Sequence, residues 1–256
     1  MALLATRLTA LFSALASSFG VILIWTLYTG GNPVLLEIYK PWLRAAVAEL
    51  EINCFTFALW TVYKESSYVY SGIWIFFMFW TGSLGTCAYI FVQFLKLSPQ
   101  ESAEDPIYHV LLRHEHKSYE EQKAGKRCLV VAATRIAYPI LGCLLIASVV
   151  YAVMTDGSPF RREVLLAPWQ MTTVVDFYVH IVALLVWAVY KETSWLSASL
   201  WILLFVCFGS LATCAYMTKE LFQLGSQDPM HLILLKHNSR PARLPLLNSV
   251  QPQRVV

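Results

Sequence analysis

Four polar residues stand inside long apolar stretches of this 256-residue chain, and they are spaced as two pairs. Glu49 and Asn53 form one pair, Asp176 and His180 the other. Each pair is four residues apart, so on a helix its two side chains share a face. A carboxylate with an amide or an imidazole one turn away suits two kinds of chemistry. It can hold a small cation or solute, or it can move protons, because an imidazole titrates near neutral pH. A plainer reading stands beside this one. Glu49, Glu51 and Asp176 fall only a turn or so inside their helices, where the helix dipole favours an acid and headgroup water is in reach. His180 can equally be a satisfied structural histidine. Trp60 and Trp187, eleven residues beyond the acids, fall near the same stripe and complete the candidate binding set.

The pairs occupy matching places in a stretch that occurs twice. Trp42–Leu97 and Trp169–Leu224 align without a gap at an offset of 127, with 18 identities in 56 positions. The middle of each copy reads Trp-x-Val-Tyr-Lys-Glu, at Trp60–Glu65 and Trp187–Glu192. The end of each reads Gly-Ser-Leu-x-Thr-Cys-Ala-Tyr, at Gly82–Tyr89 and Gly209–Tyr216. A match of this length is the mark of a duplication. In it Glu49 corresponds to Asp176, and Asn53 to His180. Gly82, Ser83, Gly209 and Ser210 are small and read as close-packing positions. The charges of Lys64-Glu65 and Lys191-Glu192 read as solvated turns.

The elements that must position these residues are membrane helices. The chain is 57% hydrophobic and 14% charged, against roughly 25% charged in an average soluble domain. A soluble fold of this size has too little core to hide that apolar surface. Six uncharged or nearly uncharged stretches read as spans: Leu8–Tyr28, Arg44–Tyr63, Val69–Leu95, Ile136–Met154, Met171–Tyr190 and Trp195–Thr218. The first is longer than the core of a signal peptide. The expected fold is therefore all-α, a polytopic bundle of six transmembrane helices. Three spans per half is an odd number, which makes the second half enter from the opposite side. The plan is a 3+3 inverted-topology tandem repeat. Residues 1–127 form the first repeat, 128–238 the second and 239–256 a disordered tail. Asp105-Pro106 and Asp228-Pro229 each start a short helix on the membrane surface, Asp as N-cap and Pro in the first turn. With six spans, nine Lys and Arg fall on one side and ten on the other, so the positive-inside rule gives no orientation.

Several chemistries are excluded by what is missing. A net charge of +3 and the absence of a basic aromatic run argue against nucleic acid. No Gly-rich phosphate loop, haem motif or metal motif is present, so no cofactor and no metal are expected. His114-Glu-His116 sits in a polar connector with no third ligand marked. The six cysteines form no Cys-x-x-Cys and read as small apolar packing residues.

A set of motifs carries a family likeness. Thr155-Asp-Gly-Ser-Pro-Phe-Arg, Pro168-Trp169, Val175-Asp-Phe-Tyr, Tyr190-Lys-Glu, Cys207-Phe-Gly-Ser and Thr213-Cys-Ala-Tyr resemble the plant membrane proteins of domain-of-unknown-function family 1475. Asp105-Pro-Ile-Tyr-His-Val-Leu-Leu-Arg113 resembles the same family. The likeness covers nearly the whole chain apart from the tail. The first half departs from it, with Thr29-Gly-Gly-Asn-Pro for Thr-Asp-Gly-Ser-Pro and Glu49 for the acid. The resemblance implies a plant integral membrane protein and implies no activity.

Three functions fit these readings. The first is binding or transport of a small solute or ion at a polar site between the repeats. The second is a membrane-embedded isomerase or cyclase acting on an isoprenoid-like substrate, with Asp176 as acid and His180 as base. The third is a scaffold. The partners implied are the lipid bilayer, an unidentified small molecule or ion, and a second copy of the chain in a homo-oligomer. The expected location is an endomembrane or the plasma membrane.

Overall fold

A computed structural model describes residues 1–30, 40–112, 124–225 and 230–235. Among them every regular element is helical. The first half contains α1 (Ala2–Gly30), α2 (Pro41–Lys64), α3 (Tyr68–Thr81), α4 (Ser83–Leu95), α5 (Pro99–Glu104) and α6 (Pro106–Leu111). The second contains α7 (Ala124–Asp156), α8 (Arg162–Leu165), α9 (Pro168–Lys191), α10 (Trp195–Phe208), α11 (Ser210–Gln223) and a 3-10 turn at Met230–Ile233. The start of the second surface helix at Asp228-Pro229, the His114–His116 segment and the tail lie outside the described residues.

Four helices are long and apolar enough to cross a membrane: α1, α2, Val131–Asp156 of α7, and α9. The 24 residues of α2 or α9 rise about 36 Å, more than the roughly 30 Å of a hydrocarbon core. Pro41 and Pro168 open α2 and α9 at the position where a missing N–H costs nothing. Asp105 caps α6 as expected, its Oδ1 accepting from the Tyr108 amide at 3.2 Å.

The expected third and sixth spans are corrected: each is a helical hairpin. The 14 residues of α3 rise only about 21 Å, and the chain then turns back. Trp74 of α3 packs on Tyr89 of α4 with ring centroids 5.2 Å apart. Lys96, just past α4, lies 5.1 Å over the ring of Tyr70 and 3.8 Å from Glu65, so the hairpin's two ends meet. The second hairpin repeats this. Trp201 of α10 packs on Tyr216 of α11 at 4.7 Å, and Lys219 reaches Glu192 at 3.2 Å. The turns are made by Gly82 (φ 63, ψ −131) and Gly209 (φ 54, ψ −127), a backbone region that is essentially glycine's alone. Gly85 lets the arms close, since a Cβ there would lie 2.8 Å from the Phe77 carbonyl oxygen.

The 3+3 inverted arrangement is not shown. Two long helices and a returning hairpin bring each half back to the end it left. α2 and α9 pack on each other at the centre. α1 packs on α4 and α9, while its counterpart α7 packs on α11 and α2. The carboxyl ends of α2 and α9 lie together. The Tyr190 hydroxyl, at the end of α9, donates to Asp105 Oδ2 at 2.8 Å. Val110 and Leu111 from the first half and Ile233 and Leu234 from the second close one cavity. Halves set head-to-tail would hold these segments at opposite ends.

The turn charges are likewise not solvated. Lys64 Nζ donates to the carbonyls of His109 (2.8 Å) and Leu112, satisfying oxygens left over at the end of α6. Lys191, 3% exposed, donates to the Ile233 carbonyl and lies 2.5 Å from Glu220, also 3% exposed. Glu65 accepts from the Tyr89 hydroxyl at 2.9 Å and Gln93 Nε2 at 2.7 Å.

Candidate functional site

The four polar residues meet along the seam between the halves, and each is held by the other half. Asn53 of α2 and His180 of α9 are both fully buried. Asn53 Oδ1 accepts from Thr213 Oγ1 of α11 at 3.0 Å. His180 Nε2 lies 3.0 Å from Thr86 Oγ1 of α4. Thr86 and Thr213 are equivalent threonines, so one contact is made twice with the roles of the halves exchanged. The hairpin tips reach the two acidic residues differently, one at the carboxylate and one at the backbone. Asp176 Oδ1 accepts from the Ser83 backbone N–H, the first of α4, at 2.6 Å. Ser210 Oγ, at the first position of α11, donates to the Glu49 carbonyl at 2.7 Å.

Local chemistry explains why the tips sit there. The first N–H groups of a helix have no partner inside it and carry the positive end of its dipole. A carboxylate from the facing helix supplies the acceptor that a side-chain cap would otherwise give, and Gly82 has no cap to offer. The approach needs glycine. A Cβ on Gly82 would lie 2.0 Å from Asp176 Oδ2, and one on Gly209 would lie 2.4 Å from Phe177 Cζ and 3.2 Å from Glu49 Oε2.

His180 is wired at both nitrogens. Nδ1 lies 3.1 Å from the Asp176 carbonyl oxygen, and a carbonyl only accepts, so Nδ1 carries a proton. Neutral imidazole then presents Nε2 as an acceptor to the Thr86 hydroxyl and to Cys54 Sγ, 3.6 Å away. The ring packs on Phe57 with centroids 5.8 Å apart. Asp176 Oδ1 is 3.6 Å from Nδ1. The amide Nδ2 of Asn53 and the hydroxyl of Ser83 are buried with no hydrogen-bond partner. The cluster can therefore hold a proton or a small cation on carboxylate oxygens beside a hydroxyl and imidazole chain. Among the described residues no three His, Cys, Asp or Glu side chains group to hold a metal.

Trp60 and Trp187 stand apart from these four. Both line an apolar cavity of about 110 Å³ at the carboxyl ends of α2 and α9. The eleven-residue spacing that sets them near the acids' stripe also carries them three helical turns away. Thr86, Thr213, Ser83, Ser210 and Cys54 take part in the seam and were not among the expected site residues. Their signal was present in the repeated Gly-Ser-Leu-x-Thr-Cys, which reads as a packing motif when the hairpin turn is not visible.

At the mouth of the second hairpin, outside the long helices, Glu192 is pulled two ways. Partial burial opposes its charge, but hydrogen bonds from Ser197, Lys219 and Tyr216 hold its carboxyl below the usual range.

The model of a family described as a protein of unknown function, DUF1475, matches residues 6–240. The chain belongs to that family. No curated protein and no solved structure matches it.

Proposed function

We propose that this member of the DUF1475 family is a multi-pass membrane protein that binds and passes protons or a small cation along the seam between its halves. Asp176 and Glu49 are the binding carboxylates, and His180 is the relay. The observation that carries the reading is the docking of one hairpin tip on the Asp176 carboxylate, with the other tip bonded to the backbone carbonyl of Glu49. An Asp at mid-span costs roughly 2.5–3.5 kcal/mol on an insertion scale, and such groups usually mark ion or proton paths. Broken helices that aim half-helix amino termini at an anionic group, here the Asp176 carboxylate, occur in membrane transporters. Non-helical backbone at that depth is tolerated where protein buries it, as at Gly82 and Gly209.

The proposed topology has four crossings and two re-entrant hairpins that enter from one side. The halves are then related by an axis along the membrane normal, the parallel form of internal repeat. Charge supports it. Arg7, Lys64, Lys96, Lys126, Arg127, Arg135, Lys191 and Lys219 fall at the hairpin end, against Lys40, Arg44, Arg161 and Arg162 at the other. Eight against four among the described residues favours the hairpin mouths in the cytoplasm by the positive-inside rule. A location in an endomembrane or the plasma membrane accords with this.

The acid–base enzyme reading gains less support, because His180 is absent from the wall of the apolar cavity where a lipophilic substrate would lie. The test is flux. The purified chain is reconstituted in liposomes holding a pH-sensitive dye, under a potassium diffusion potential. The native chain is expected to carry protons. Asp176→Asn and Glu49→Gln are each expected to lower the rate at least tenfold while eluting as folded protein. Undiminished flux in both variants, or none in the native chain with protons, sodium or potassium, removes the proposal.

A further inference from the structure

The apolar cavity lined by Trp60 and Trp187 lies off the polar seam and is built from equivalent positions of both halves. Phe57 faces the seam side, and Leu111 and Leu234 close the far end. Nearly every polar atom that reaches its wall is spoken for. Thr56 Oγ1 donates to the Ile52 carbonyl at 3.0 Å and accepts from the Tyr138 hydroxyl at 3.1 Å. Trp60 Nε1 donates to the Leu111 carbonyl at 3.1 Å. The counterpart of that last bond is missing. Trp187 Nε1 is buried and has no hydrogen-bond partner.

An indole N–H is a donor and nothing else. Leaving one buried without an acceptor costs a desolvation penalty that native proteins rarely tolerate without a reason. Duplication makes the contrast sharp, since the same tryptophan on the other wall is satisfied by backbone. A cavity lined by apolar side chains stays dry, and one of about 150 Å³ holds a benzene-sized molecule. At about 110 Å³ this cavity is smaller than that one, so it takes at most a single compact ring.

We propose that this cavity binds a compact lipophilic group bearing one hydrogen-bond acceptor oxygen, a cyclic ketone or the ring end of a larger lipid of that kind, with the oxygen accepting from Trp187 Nε1. The ring packs between the two indoles and under Leu111 and Leu234. The site is independent of the proton or cation path, because none of Glu49, Asn53, Asp176 or His180 lines it.

The probes are cyclohexanone and methylcyclohexane, which match in size and differ in the acceptor. Each is titrated into the purified full chain in detergent, with binding followed by ligand-observed NMR. Trp187→Phe keeps the wall apolar and removes the donor. Cyclohexanone is expected to bind about tenfold more weakly to Trp187→Phe than to the native chain, and methylcyclohexane equally to both. Comparing one probe across two proteins cancels its partition into micelles. Should the variant not fold, the native chain with 15N-labelled tryptophan decides. Cyclohexanone is expected to move one indole N–H resonance downfield, and methylcyclohexane to leave its hydrogen-bond shift in place. Equal cyclohexanone binding by both proteins, no binding by either, or an indole resonance indifferent to the ketone would overturn the proposal.

Discussion

Replacing Gly82 by alanine tests the hairpin tip and its acid in one step. The residue sits at φ 63 and ψ −131, where an L side chain pays roughly 1–3 kcal/mol of backbone strain. The new Cβ would also lie 2.0 Å from Asp176 Oδ2 and 2.7 Å from its Oδ1. Asp176 must then swing off the Ser83 amide, losing a charge-assisted hydrogen bond of about 1.5–3 kcal/mol. The sum is a destabilisation of about 2.5–6 kcal/mol, at or beyond the upper end of the usual range for a point change. Unfolding in mixed micelles, followed by circular dichroism, measures it. Gly72→Ala is the control: Gly72 lies inside α3 with nothing within 4 Å of a built Cβ, so alanine should be neutral or gain about 0.5–1 kcal/mol. A cycle with Asp176→Ala separates the two contributions. The clash predicts a coupling of about 1–3 kcal/mol between the sites, whereas backbone strain alone predicts none. A Gly82→Ala protein within about 1 kcal/mol of the native chain, or no worse than Gly72→Ala, would refute the reversed chain at this point.

Other consequences are as specific. Lys191→Met strands Glu220, which is 3% exposed, and should cost about 3 kcal/mol, while Lys191→Met with Glu220→Leu should recover most of it; Lys219 at 3.6 Å softens the single change. Tyr138→Phe removes the 3.1 Å bond to Thr56 and should cost about 1 kcal/mol by the same unfolding assay. Glu192 has its folded carboxyl held below its unfolded value, with burial opposed by hydrogen bonds from Ser197, Lys219 and Tyr216. Its contribution is therefore present above the unfolded pKa, about 4.3, and fades as pH falls through the folded one. The stability gap between the native chain and Glu192→Gln should be open at pH 7 and close on acidification; a gap independent of pH contradicts this.

Much of this architecture is legible in the sequence, and the part that is not has a physical cause. Two stretches match without a gap at an offset of 127, and the match pairs Glu49 with Asp176 and Asn53 with His180, residues that fold onto one seam. The long helices α1, α2, α7 and α9 follow from uncharged runs and from Pro41 and Pro168. The hairpins do not. Val69–Leu95 carries no charge, and an apolar run of that length suits one tilted rod as well as two short ones pressed together. A glycine inside such a run is tolerated in a helix at about 1 kcal/mol, so Gly82 and Gly209 do not announce a positive φ. The even split of Lys and Arg under six spans was the available clue, because real membrane proteins seldom balance so evenly. Lys64 and Lys191 read as turn charges because the carbonyls that receive them belong to segments more than forty residues away.

The most direct test of the whole account is which side of the membrane each turn faces. Single cysteines are placed at Ser67, Ser98, Ser158 and Ser194, all exposed, in a cysteine-free background, and sealed vesicles of known orientation are treated with an impermeant maleimide. Four crossings with two returning hairpins predict that Ser67, Ser98 and Ser194 react from one side and Ser158 from the other. Labelling of Ser67 and Ser98 from opposite sides would mean that the chain passes straight through at Gly82, and the seam, its paired acids and the proposed path would lose their frame.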